Sequence, residues 1–277
     1  MSKILFEKRG AIAELILNRP DKLNAIDGEM LDGMRLALDE AGADDDIRVL
    51  LLRGEGRAFS AGFDLGGATA VATDKRAEIL RRELQRDFDL IMRFWDFPKP
   101  IIAAVHGYCL GSSMEITAVC DITIAAEGTR FGAPEVRYGS GIVCLILPWI
   151  IGLKNARELL LIGSDKIDAQ RAESIGLVNR VVAQDSLLQE AYAVAEEIAL
   201  NDPLAVRLTK KAINRSVEIA GLRQALDEAL EIDIEIELTE TEESMQFNSI
   251  VESEGPKAAL QWRMNKLRKK TRDGKIP

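Results

Sequence analysis

Histidine is all but missing from this chain of 277 residues, which contains a single one. Any nucleophilic system that relies on an imidazole would have to use His106, and that residue closes an apolar run just before Gly107, the setting of a packed, hydrogen-bonded ring. Cysteine is scarce as well. Cys109, Cys120 and Cys144 lie in apolar surroundings with no CxxC pair and no other zinc spacing, so they read as small buried hydrophobes; a reducing compartment fits, and no metal or redox cofactor is implied. Long apolar runs are absent: the longest, Ile142 to Ile151, is broken by Pro148 and is about half of what a membrane span needs. The opening residues, Met1 to Lys8, mix charges and lack the sustained apolar stretch of a signal peptide, so no membrane partner and a cytoplasmic location are the expectation. The net charge of −9 has the wrong sign for general affinity to nucleic acid.

What is present is ordinary for a soluble globular protein: 47% apolar and 29% charged residues, in a chain long enough to bury a full core. Ile4 to Phe6 and Ala11 to Leu17 read as strands around a turn at Arg9-Gly10. Asp27 is a good N-cap for a helix that runs to Gly42, and Ile47 to Leu52 has the continuous apolar character of a strand buried on both faces. A charged amphipathic helix over Lys75 to Phe97 is stopped by Pro98 and Pro100. Strands at Ile101 to Val105 and Asp121 to Ala125 then flank a small-residue turn, Gly107 to Ser113, and a short helix, Met114 to Val119. Beyond Gly152 the pattern is helical: Asn155 to Leu161, Ala169 to Ser174, Ser186 to Leu200, Leu204 to Ala220 and Leu222 to about Thr241. This is α/β followed by α. Charge is uneven at the end, with eleven acids against Arg223 between Gly221 and Gly255, then eight bases against Asp273 from Pro256 to Pro277.

Two glutamates carry the chemistry. Glu115 lies in His106-Gly-Tyr-Cys-Leu-Gly-Ser-Ser-Met-Glu115, and Glu135 closes Phe131-Gly-Ala-Pro-Glu135. If a helix begins near Ser112, its first amides lack intrahelical acceptors and favour an anion, and Glu115, almost one turn on, leans back toward them. Met114, Ile116, Val119 and Ile122 surround Glu115 with apolar groups, which would desolvate the carboxylate and raise its pKa. Taken singly, a glutamate in a helix is usually a solvated residue and Pro134-Glu135 only a turn; the spacing of the two and the Gly-Ser-Ser before the first lift them. Upstream, Ala58-Phe-Ser-Ala-Gly-Phe-Asp-Leu65 supplies small residues where amides can face a ligand.

Together these three stretches resemble the crotonase (enoyl-CoA hydratase/isomerase) superfamily, over roughly Leu5 to Val182. The resemblance implies a spiral of ββα units as a core domain over residues 1–203 and a helical C-terminal region over 204–277 that builds homotrimers or hexamers. It implies an acyl-CoA substrate, coenzyme A being part of that substrate and not a cofactor. The backbone amides of Phe63 and Ser112 would hold the thioester oxygen, Glu115 would activate water and Glu135 would protonate the α-carbon. The retained pair favours hydration of a trans-2-enoyl-CoA; an isomerase, hydrolase or lyase on the same scaffold is the alternative. For the coenzyme A moiety, Asn18 to Ala25 resembles the family's adenine loop, with Lys22 the candidate charge, although Asp21 stands where relatives are often basic. Lys22, Leu23, Ala25, Ala61, Phe63, Asp64, Leu65, Ser112 and Val143 form the expected substrate contacts, Asp64 also as a structural cap, and Lys266, Arg268 and Lys269 of a neighbouring subunit's helix would meet phosphates. A remote alternative, an RNA-binding or assembly protein, rests on the basic tail alone, which lacks interleaved aromatics.

Three departures from the family pattern stand out: Ser112-Ser113 in place of two glycines, Phe63 in place of a smaller residue, and an apolar segment after Glu135 that appears about three residues shorter than a glycine-rich, water-holding turn. Ile142, Val143, Leu145 and Trp149 would there form an apolar wall.

Overall fold

The computed structural model describes residues 2–64 and 76–273, the side chains of Pro256 and residues 267–273 excepted. The opening is β1 (Ile4–Arg9), β2 (Ile12–Leu17), α1 (Gly28–Ala43) and β3 (Val49–Gly54), followed by α2 (Arg76–Asp96) and β4 (Ile101–Val105). Next come β5 (Tyr108–Leu110), α3 (Ser112–Val119), β6 (Ile122–Ala126), β7 (Arg130–Gly132) and α4 (Glu135–Tyr138). The rest comprises α5 (Leu147–Ile150), α6 (Gly152–Ile162), β8 (Ile167–Asp168), α7 (Ala169–Ser174), β9 (Arg180–Val182), α8 (Leu187–Ala199), α9 (Pro203–Ile219), α10 (Leu222–Leu238), α11 (Glu242–Glu254) and α12 (Pro256–Asp273).

Six strands form one sheet in the order β1-β2-β3-β4-β6-β9; β1 and β2 are antiparallel and every later neighbour is parallel. A parallel sheet must be covered on both sides, which is why β2, β3 and β4 are almost continuously apolar. Alternation divides their side chains between two cores. Leu15, Leu17, Leu50, Leu52, Ile101 and Val105 pack with α1, α2, α3 and α10, whereas Val49, Leu51, Ile102 and Ala104 pack with Leu187, Ala191 and Ala195 of α8. Glu14 is the one acid inside β2; Arg53 at 2.5 Å, Arg9 at 3.0 Å and the Tyr192 hydroxyl hold it.

The expected N-cap at Asp27 is present, its carboxylate accepting from the Met30 amide at 3.0 Å. The segment expected as a turn from Gly107 is instead the strand β5, paired parallel to β7, with β8 antiparallel beyond it. A three-residue strand leaves too short a pattern to recognise, and its pairing partner lies twenty residues on. The helix before Thr241 ends at Leu238, and Thr241 caps α11 through a reciprocal bond with Ser244. Leu222, Leu226, Leu230 and Ile234 of α10 join the main core, so the helical end of the chain packs on the sheet-bearing part directly. Among the described residues no helix is long and apolar enough to cross a membrane.

Asn24 ties the two ligand-facing loops together. It is fully buried, takes the left-handed backbone that asparagine tolerates (φ 53°), and its amide donates to the carbonyls of Glu55, Ala58 and Phe59 at 2.9, 2.8 and 3.1 Å while accepting from Arg19 N. Asn24→Ala leaves these buried carbonyls without their donor and is expected to cost about 3 kcal/mol of unfolding free energy in urea titration; a loss below about 0.5 kcal/mol would show that water takes its place.

Candidate active site

Three backbone segments converge where β5 hands over to α3. Gly111, the N-cap of α3, has φ +59°, and a Cβ there would lie 2.7 Å from Glu135 Oε1 and 3.9 Å from Gly62 Cα. Gly62 has φ +88°, and its Cβ would lie 2.7 Å from Leu110 O and 3.4 Å from Ser112 N. Both positions thus demand glycine twice over, for conformation and for space. Flanking bonds fix the crossing: Ile26 N donates to Gly62 O at 2.8 Å, Asp64 N to Ile26 O at 2.9 Å, and Leu110 N to Ser60 O at 3.1 Å. Among the described residues neither the Phe63 amide nor the Ser112 amide donates to any acceptor. Ser112 opens α3, where the first amides have no intrahelical partner and the dipole is positive.

The serine pair that departs from the family pattern is accommodated asymmetrically. Ser113 Oγ staples the crossing, donating to Ser60 O at 2.9 Å and Leu110 O at 2.7 Å. Ser112 Oγ is buried with no partner among the described residues.

Glu115 is 3% exposed and accepts from the Cys144 amide at 3.0 Å. Burial raises its pKa well above the usual range, the charge of Glu135 adds to that, and the Cys144 N–H opposes it. Glu135 sits half-buried at the start of α4; burial first and the nearby charge of Asp233 next push its carboxyl up to about 7, and its Oε2 has no hydrogen-bond partner. A pair raised in this way retains a proton near neutral pH, and the Cys144 donor offsets only part of the rise at Glu115. Ser112 Oγ and Glu135 Oε2, both unpartnered, edge the same crossing, as expected of groups that a ligand completes.

The remaining expected contacts lie as follows. Lys22 is exposed at the end of the turn Pro20–Lys22; Leu23 follows in a left-handed conformation and its carbonyl accepts from Ala61 N at 3.0 Å. Ala25 O and the Asp64 carboxylate both take bonds from Arg19, at 2.9 and 2.6 Å, so Asp64 is engaged in pinning the two loops. Phe63 and Val143 are half-buried against the main core, Val143 one residue before the amide on Glu115. Leu65 lies outside the described residues, as do the side chains of Arg268 and Lys269. Lys266 Nζ is 3.0 Å from Glu243 of its own chain. His106 Nε2 pairs with Gly56 O at 2.9 Å, the packed role expected of it. Among the described residues no three His, Cys, Asp or Glu side chains are grouped to hold a metal.

Sequence reasoning missed Arg19, Asn24, the Cys144 amide, Asp87 and Asp233. Burial pushes the carboxyls of Asp87 and Asp233 up to about 7. Asp233 had a readable signal: it continues the buried stripe Leu222, Leu226, Leu230 of α10 where an apolar residue belongs.

A model of the enoyl-CoA hydratase/isomerase family matches residues 7–257. The chain belongs to the enoyl-CoA hydratase/isomerase family. It is 37% identical to a putative enoyl-CoA hydratase of Thermus thermophilus over 74% of this chain and 81% of that one, and 35% identical to a short-chain-enoyl-CoA hydratase of Clostridium acetobutylicum over 85% and 88%. A crystal structure of an enoyl-CoA hydratase/isomerase from Xanthobacter autotrophicus superposes with a TM-score of 0.89 at 45% identity, covering 95% of this chain and 97% of that chain. The enoyl-CoA hydratase/isomerase fold thus extends through the C-terminal helices, beyond the stretch in which the sequence resemblance was strongest.

The raised carboxyl of Glu135 has a sign that can be checked. Its pKa rises from 4.5 to about 7 on folding, so the folded state holds the extra proton between those values and loses stability as pH climbs through them. Glu135→Gln removes that loss. The melting temperature of the variant relative to the parent is expected to be near zero at pH 4 and to grow to several degrees at pH 8; a difference independent of pH would contradict the buried carboxyl.

Proposed function

We propose that the chain is an enoyl-CoA hydratase that adds water to a trans-2-enoyl-CoA thioester through a stabilised enolate. The observation that carries this reading is the pair of amides unengaged among the described residues, Phe63 and Ser112, beside the buried Glu115 and the half-buried Glu135. Two fixed N–H donors suit the oxygen of a thioester, whose negative charge grows as a nucleophile adds at the β-carbon; each such donor is worth roughly 3 kcal/mol of barrier in other enzymes. Addition of water needs one proton removed and one delivered. With one proton shared by the pair, Glu115 takes a proton from water as its oxygen attacks Cβ, and Glu135 gives its proton to Cα.

Lys22, Leu23, Ala25, Ala61, Asp64 and Leu65 are assigned to the coenzyme A and thioester side, and Phe63 with Val143 to the acyl side. Coenzyme A enters as part of the substrate, with no separate cofactor. We assign the chain to a homotrimer or dimer of trimers in the cytoplasm, with residues 1–203 as the core domain and 204–277 as the assembly region; Leu204, Leu208 and Ile213 along α9 are exposed apolar groups that an assembly would cover. Lys266 would meet phosphate on releasing Glu243.

The test is loss of conjugated-thioester absorbance with short, long and aromatic enoyl-CoAs. Turnover is expected with at least one, and Glu115→Gln and Glu135→Gln are each expected to lower kcat by about 100-fold or more. Turnover that survives one of the two substitutions would favour a double-bond isomerase, and silence across the panel would refute hydration.

A further inference from the structure

A third buried acid presses on the loop beside the pair. We infer that Asp233, on α10, is a positioning residue of this site: pressed against Gly141, it fixes the loop that ties the two glutamates together and, when charged, helps to keep the proton on Glu135. The inference rests on the reading of Glu135 as proton donor.

Asp233 is 2% exposed, and among the described residues neither carboxylate oxygen has a partner of hydrogen-bonding geometry, although the Gly141 amide is close enough to favour the charged form. A Cβ at Gly141 would collide with Asp233 Oδ1 and lie 3.1 Å from Asp233 Cα. Gly141 is the midpoint of the loop. On one side Ser140 N donates to Glu135 O at 3.1 Å; on the other, three residues on, Cys144 N holds Glu115. One turn along α10, Glu237 is close enough to the Ser140 side chain for it to favour the charged form of that carboxyl, whose pKa burial otherwise raises. The helix is clamped to α2 by the ion pair Arg81–Glu231, and the link just beyond its end by Arg76–Glu240, so Asp233 has a fixed mount.

Among the described residues, the charged groups that act on Asp233 and the nearby pair include Glu237 on its own helix, Glu135 from α4, Glu115 from α3, and Asp87 and Arg76 from α2, Asp87 acting on Glu115 and Arg76 on Glu237. Four of these five are acids. Leaving a buried carboxylate unpaired among others works against folding, and an apolar residue on this stripe would serve the core better. What the carboxylate supplies in return is repulsion that favours a protonated Glu135, and a shape that only glycine can oppose at position 141.

The test uses the full chain with Asp233→Asn, which keeps the shape and removes the charge. Without the repulsion Glu135 gives up its proton sooner, so the alkaline limb of the kcat/KM profile for enoyl-CoA hydration is expected to move to lower pH by about half a unit or more, with Asp233→Glu returning it toward the parent. An unmoved limb in folded Asp233→Asn overturns the electrostatic role. Gly141→Ala supplies a second reading if that variant does not fold: a roughly tenfold loss of kcat with KM little changed is expected, and parental kcat overturns the positioning role. Melting temperature needs no activity. The gain of Asp233→Asn over the parent is expected to grow from pH 5 to pH 8, and a constant difference overturns the buried charge even if hydration itself has been refuted by the parent enzyme's silence.

Discussion

Two backbones touch at Gly62 and Gly111, and the site exists because neither carries a side chain. A methyl group at either would drive Leu110 O, Ser112 N or Glu135 away. With the two segments in contact, the amides that follow each glycine are left, among the described residues, without acceptors. That is an arrangement of donors fixed before any ligand arrives, so no reorganisation is needed when charge develops. The surrounding fold maintains it: β5 and β7 hold the approach to Gly111, Asn24 and Arg19 hold the approach to Gly62, and Ser113 staples one to the other.

Electrostatics then follows from burial. The same crossing excludes water from Glu115 and limits its access to Glu135, and carboxylates removed from water without cationic partners hold their protons. Basic residues nearby are spent elsewhere: Arg19 on Asp64, Arg81 on Glu231 of α10 and Arg76 on Glu240 just beyond that helix. Cys144 is the one donor turned toward Glu115 among the described residues, and it comes from the segment after Glu135 that departs most from the family pattern. The loop that gives up a glycine-rich turn therefore still contributes a main-chain N–H to the acid. Its apolar members, Ile142, Val143 and Leu145, pack on the main core.

Much of this was legible before any coordinates. The continuous apolar runs of β3 and β4 marked buried parallel strands, Asp27 marked a helix start, and the Gly-Ser-Ser before Glu115 marked free amides beside a buried carboxylate. What escaped had no local signature. The strands β5, β7 and β8 have two or three residues each, and their existence depends on partners distant in sequence. Arg19 and Asn24 look like turn residues because their acceptors, Asp64 and the 55–59 carbonyls, come from another loop. Cys144 acts through its amide, which no side-chain pattern announces. Asp233 was the exception, an acid on an apolar stripe that was counted as part of an acidic run when its helical phase already set it apart.

The account's central claim is that a thioester oxygen rests between the amides of Phe63 and Ser112. The most direct measurement is the infrared stretch of a bound acyl-CoA thioester carrying a 13C label at its carbonyl. The account predicts a band shifted to lower frequency on binding to the parent protein and returned toward its free position in Gly111→Ala. A bound thioester whose carbonyl vibrates as it does in water would contradict it.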